Sequence, residues 1–226
     1  MSKVEQFHRS CEDSIDVRGF LHRPTGESLG GIVLTHGAGG NAKGPLLTAL
    51  AEAFADSGLT VLRCDLPFRQ QRPTGPPSPA SAARDQAGLR CAAQVLKELG
   101  SARVLLGGQS YGGRQASLLA ASDESVCDGL LLMSYPLHPP GKPGQLRTQH
   151  FPQLRKPILF VQGTKDPFGS VEEMDAAMKL LATAHERVIV EGAGHDLGWS
   201  RKLKPEYADL PARIVEALLK LINIDK

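Results

Sequence analysis

The chain has 226 residues, 41% hydrophobic and 22% charged, which matches a water-soluble globular protein long enough for one substantial core, so a single domain spanning 1–226 is expected. A net charge of only +2, without a long basic or acidic block, gives no reason to expect nucleic acid or a membrane surface as a partner. In chain order, the opening MSKVEQFHRSCEDSIDV lacks the apolar stretch of a secretory signal. SIDVRGFLHRP alternates like an edge strand before Pro24, and GGIVLTHG reads as a continuous buried strand. Pro45 opens a helical pattern, LLTALAEAFADSG, which Gly58 stops. LTVLRCDLP is the next strand. Residues 66–84, rich in proline, serine and arginine, read as a long loop of the kind that often carries function. A helix over Ala82–Leu99 follows, then the strand ARVLLGG and a helix over Gly112–Ala121. DGLLLMSYP is a strand that opens into a second long loop, LHPPGKPGQLRTQHFPQL. KPILFVQG is a strand, VEEMDAAMKLLATA a helix, ERVIVEGAGH the last strand, and EYADLPARIVEALLKLI an amphipathic closing helix that Pro211 is expected to kink.

No apolar run is long enough to span a bilayer. Cys11, Cys64, Cys91 and Cys127 are scattered without a CxxC or metal-like pair, so they read as reduced, mostly buried thiols of a cytoplasmic protein. Strand–helix alternation predicts an α/β fold, a mostly parallel twisted sheet with helices on both faces. Ligands of such sheets bind at the carboxyl ends of the strands, so the residues after each strand matter most.

Two chemistries compete for the glycine cluster after the second strand. Gly37, Gly39 and Ala42 fit G-x-G-x-x-A, with Asp65 roughly twenty residues on, as in a dinucleotide site that would serve a nicotinamide-dependent reductase. Against it, Pro45 marks a helix start beyond Ala42. A phosphate-binding loop is excluded because Pro45 stands where its lysine is needed. The alternative is an oxyanion site. Gly108-Gln109-Ser110-Tyr111-Gly112 lies between a strand and a helix and fits the G-x-S-x-G nucleophile elbow. A serine on so sharp a turn needs small neighbours, and its hydroxyl needs a base and an orienting acid. After later strands, in the order acid then histidine, come Asp166 and His195. Asp196 adjoins His195, but successive side chains diverge, so Asp166 is preferred. The oxyanion donors are assigned to the backbone N–H groups of Ala38 and Tyr111, with Gly39 close behind. No His, Cys or carboxylate spacing supports a metal site, and no cofactor is called for.

The segments THGAGG, GGQSYGG, GTKDP and GAGHDL make the chain resemble the α/β-hydrolase superfamily over nearly its whole length. With SYPLHPPGKPGQLRTQHFPQLRKPILFVQG it is also similar to the small hydrolase-like group that includes testis-expressed protein 30 and the third subunit of the nonspecific-lethal acetyltransferase complex. It resembles dienelactone-hydrolase-like enzymes too, which commonly carry cysteine where Ser110 stands. The resemblance implies a serine hydrolase of the α/β-hydrolase fold with a minimal cap and fixes no substrate; Ser110, His195 and Asp166 themselves point to acyl transfer from a small ester or thioester to water. Because some members of the narrower group look more like complex subunits, it also implies a scaffold reading with a protein partner. The two long loops are expected to line the pocket, with Gly39, Phe68, Arg69, Tyr135 and His138 as substrate-binding candidates. Arg72, Arg147, His150 and Arg114 lie nearby in the pattern; arginines at the mouth would suit an anionic acyl or leaving group, but solvated loop arginines are the preferred reading.

Overall fold

The computed structural model describes residues 3–199 and 204–224. Eight strands form one sheet: β1 (Lys3–Ser10), β2 (Asp16–Arg23), β3 (Gly30–Thr35), β4 (Leu59–Asp65), β5 (Val104–Gln109), β6 (Gly129–Met133), β7 (Ile158–Gly163) and β8 (His185–Val190). Their spatial order is β1-β2-β4-β3-β5-β6-β7-β8. The β1–β2 and β2–β4 pairs are antiparallel and every other pair is parallel. The α-helices among the described residues are α1 (Pro45–Asp56), α2 (Pro67–Gln71), α3 (Ala82–Glu98), α4 (Tyr111–Ser122), α5 (Val171–Met178) and α6 (Leu210–Leu221).

The central strands are buried at almost every position and largely apolar because both faces are covered, and successive side chains go to opposite cores. Val33 of β3 joins Leu106, Leu132 and the apolar residues of α3 and α4. Its neighbours Ile32 and Leu34 pack against α1 and α6 on the other face. Gly58, at φ +97°, ends α1 in the left-handed conformation that favours glycine.

Four expectations need correction. β2 is not an edge strand, because β1 pairs along its whole length. β1 is mostly exposed, so it shows no buried periodicity by which to recognise it. Within the expected loop 66–84, Pro67 starts the short helix α2, and α3 follows at Ala82. Pro211 sits in the first turn of α6, where its missing N–H is harmless and no kink is needed. Cys11 and Cys91, with Cα atoms 6.4 Å apart, form a disulfide, while Cys64 and Cys127 are free and buried. The expectation of four reduced thiols fails at that pair, and with it the support that cysteine usage lent to a cytoplasmic location. Among the described residues no helix is long and apolar enough to cross a membrane.

Candidate active site

Ser110 occupies the turn between β5 and α4 with φ 51° and ψ −112°, outside the regions open to an L-residue without strain. The flanking glycines explain how the chain tolerates it. A Cβ on Gly108 would lie 2.4 Å from backbone atoms of Gly112 and Gly113, and one on Gly112 would lie 2.6 Å from His36 O and Thr35 Oγ1. Without those side chains α4 closes onto β5 and β3, and the serine hydroxyl stands clear at the carboxyl edge of the sheet.

His195 and Asp166 follow β8 and β7, neighbouring parallel strands. A Cβ on Gly163 would meet Ala193 O at 2.4 Å and Gly194 O at 2.6 Å, so glycine at the end of β7 lets the loop after β8 fold across it. The amide of Lys165 then donates to Ala193 O at 2.8 Å. This brings His195 Nδ1 to 2.8 and 2.9 Å from the two carboxylate oxygens of Asp166, and His195 Nε2 to 2.8 Å from Ser110 Oγ. A carboxylate can only accept, so Nδ1 carries the proton and Nε2 is left to accept the serine hydrogen. Asp166 is buried and also accepts the Phe168 N–H at 2.9 Å. The Phe168 ring lies against His195, centroids 4.1 Å apart. Asp196 instead accepts the Gly198 N–H and lines the cleft.

The loop after β3 faces the serine. A Cβ on Gly37 would be 3.3 Å from Ser110 Cβ. Among the described residues no acceptor takes the N–H of Ala38 or of Tyr111, the second being a first-turn helix donor that has no intrahelical partner. Three residues hold this loop and the elbow, and none was recognisable as a support in the sequence. His36 accepts the Leu66 N–H at its Nε2 (3.1 Å), which leaves Nδ1 to donate to Gly37 O at 2.8 Å. Burial depresses the His36 imidazole below its usual range, consistent with that neutral form. Asp85 is fully buried; it accepts the Tyr111 hydroxyl at 2.7 Å and the Phe68 N–H at 2.9 Å. Burial raises its carboxyl above the ordinary value.

Arg69 is the third support. Its guanidinium donates to Gly40 O (2.8 Å), Ala38 O (2.7 Å), Gly75 O (3.0 Å) and Arg72 O (3.1 Å). Arg69 is thus turned into the protein and does not line the cleft. The same holds for three other substrate-binding candidates. Phe68 packs edge-on against Tyr111, the Tyr135 hydroxyl donates to Arg147 O, and His138 pairs with Glu173; all three are buried. Gly39 does line the cleft. Asp65, the acid of the dinucleotide reading, accepts the Ala42 N–H at 2.7 Å and so ties this loop to the end of β4.

The cleft over Ser110 and His195 holds about 740 Å³, within the range of small-molecule sites. Pro76–Pro79 wall one part of it, and Arg114, Pro136 and Arg147 wall another. A hydroxyl, an imidazole and a carboxylate in series, beneath two unclaimed N–H groups, can activate an oxygen nucleophile and receive a developing oxyanion.

Residues 29–223 match a family model described as an alpha/beta hydrolase domain. Among solved structures, a serine hydrolase homologue from Coxiella burnetii superposes with TM-score 0.75 at 20% identity, covering 95% of this chain and 97% of the other. Est1E from Butyrivibrio proteoclasticus gives TM-score 0.75 at 16% identity, covering 96% and 99%. A dienelactone hydrolase from Anabaena variabilis gives 0.73 at 20% identity, covering 98% and 97%. At these identities the likeness is one of fold.

Proposed function

The chain belongs to the alpha/beta hydrolase family, and on that premise we propose that it works as a single-domain serine hydrolase cleaving a small ester or thioester through an acyl intermediate on Ser110. The observation that carries the reading is the unbroken hydrogen-bond chain from Ser110 Oγ through His195 to Asp166, with links of 2.8 Å at each end.

Ser110 Oγ attacks the acyl carbonyl carbon while its proton passes to His195 Nε2. The carbonyl oxygen becomes an oxyanion between the N–H groups of Ala38 and Tyr111, and loss of one such donor typically costs about 3–4 kcal/mol of transition-state stabilisation. The tetrahedral intermediate collapses, the bond to the alcohol or thiol breaks, and the leaving group takes the proton from His195. Water then attacks the acyl-serine with His195 as base, the bond to Oγ breaks, and the proton returns to Ser110. Asp166 holds the imidazole in its reactive tautomer and offsets the imidazolium charge in both halves. Each step uses protein groups and water alone.

The test is labelling by a fluorophosphonate probe, run beside a panel of 4-nitrophenyl esters and acyl thioesters, on wild type and Ser110→Ala. Wild type is expected to be labelled and active, and Ser110→Ala neither. Equal absence of labelling in both would overturn the reading and favour a binding protein on a hydrolase fold.

A further inference from the structure

Two arginines on the wall of the cleft have nothing to hold. Arg114 stands one helical turn past Ser110 on α4, and Arg147 lies in the segment between β6 and β7; both line the cleft that contains Ser110 and His195. Among the described residues neither guanidinium is in an ion pair, and no oxygen accepts a hydrogen from either. The Nε of Arg114 is shut off from water with no acceptor at all. An unsatisfied buried donor is unfavourable, and so is a second like charge beside it, and native structures hold few such groups without a functional or structural cause. The two charges do sense each other: burial first, and then Arg114, hold the Arg147 guanidinium below its ordinary value. His150 and Tyr135, which both sense Arg114, supply no countercharge. His150, pushed down to about 4 by burial and by Arg114, is neutral near pH 7, with its Nε2 2.8 Å from Ser117 Oγ. The Tyr135 hydroxyl is spent on Arg147 O. Against the two guanidiniums the cleft lining holds one carboxylate, Asp196, which leaves one positive charge for a ligand to match.

The geometry points to a substrate that carries one carboxylate besides the bond to be cleaved, with Arg114 and Arg147 as the paired guanidiniums that grip it beside Ser110. This rests on the serine-hydrolase reading and narrows it to half-esters of small dicarboxylic acids or O-acyl esters of small hydroxy acids. Each guanidinium offers parallel N–H donors that match the two oxygens of a carboxylate. Because arginine stays charged, the grip persists across the whole pH range in which the carboxylate is ionised.

The test separates the grip from the chemistry. 4-Nitrophenyl hemiglutarate is compared with 4-nitrophenyl valerate, placing the carboxylate on the acyl side. O-Valerylglycolate is compared with ethyl valerate, placing it on the alcohol side. In wild type one anionic ester is expected to exceed its neutral partner in kcat/KM, and Arg114→Gln and Arg147→Gln should each reduce that ratio about 10- to 100-fold, the effect of one lost charge-assisted contact. Calorimetry on Ser110→Ala with monomethyl glutarate gives a reading free of turnover. Saturable binding is expected, weakened at least tenfold when either glutamine is added to that background. The inference is overturned if neither anionic ester is preferred by an active enzyme, or if the preference survives both substitutions. If no ester is turned over and no probe labels Ser110, the hydrolase reading has failed, and binding alone decides: arginine-dependent affinity sustains the anion site, and its absence overturns it.

Discussion

Replacing Arg69 by methionine tests whether a residue outside the cleft controls the chemistry inside it. Methionine keeps much of the apolar stem and removes the guanidinium, and with it four hydrogen bonds to backbone carbonyls at 2.7–3.1 Å. Hydrogen bonds from a charged donor are worth about 1.5–3 kcal/mol each, but they are not additive once the loop relaxes, and removing the buried charge returns part of its desolvation penalty. A net loss of about 3 kcal/mol is therefore reasonable, and at ~2–4 °C per kcal/mol for a chain of this size it lowers Tm by about 6–12 °C. Two of the four carbonyls, Ala38 and Gly40, lie in the loop that offers the Ala38 N–H. If that loop drifts, an interaction made chiefly in the transition state weakens, so kcat should fall about 10- to 100-fold, short of the full loss of a donor, while KM changes little. Arg69→Lys should fall between, since a point charge reaches fewer of the four carbonyls. Steady-state kinetics with the best 4-nitrophenyl ester and urea unfolding on the same samples give both readouts. A folded Arg69→Met protein with kcat within twofold of wild type, or with its whole loss in KM, would refute the idea that Arg69 positions the oxyanion loop.

Gly108→Ala puts a Cβ 2.4 Å from the backbone of α4, and overpacking against main chain that cannot step aside should cost about 3 kcal/mol or more; an unchanged urea midpoint would contradict it. Acid should destabilise the protein through two histidines, His22 buried and His150 half-buried. His22 and His150 are each pushed down to about 4, chiefly by burial, so in the folded state they take up protons less readily than in the unfolded state. Their contribution is therefore complete above the ordinary histidine value near 6.5 and is lost as pH falls toward 4, at no more than about 1.4 kcal/mol per pH unit for each. Urea midpoints at pH 7 and pH 5 should differ by less in His22→Gln/His150→Gln than in wild type, and equal differences would remove these two groups from the account.

What could be read along the chain is what short-range physics dictates. A buried strand between two helices must be apolar on both faces, and a serine in a strained turn must have glycine on either side. Hence the order of elements, the turn at Ser110, and the placement of Asp166 and His195 just beyond two later strands were legible. So was the glycine loop at 37–40, whose residues fit an oxyanion site and a dinucleotide site alike until Ser110, Asp166 and His195 downstream favoured the oxyanion. Tertiary contacts then turned Asp65 onto the Ala42 N–H. The same distance in sequence hid the rest. Arg69 reaches carbonyls 29 and 31 residues earlier, Asp85 reaches Tyr111 across 26, and Cys11 finds Cys91 across 80. A proline- and arginine-rich stretch looks the same whether its arginine faces solvent, substrate or backbone. That is why Phe68, Arg69, Tyr135 and His138 read as cleft residues and lie behind its wall, while Arg114 and Arg147, also expected near the mouth, do line it. Periodicity and turn chemistry are properties of neighbours along the chain, so sequence determines them; the direction of a polar side chain depends on which acceptors the folded chain brings within about 3 Å, and only the tertiary structure decides that.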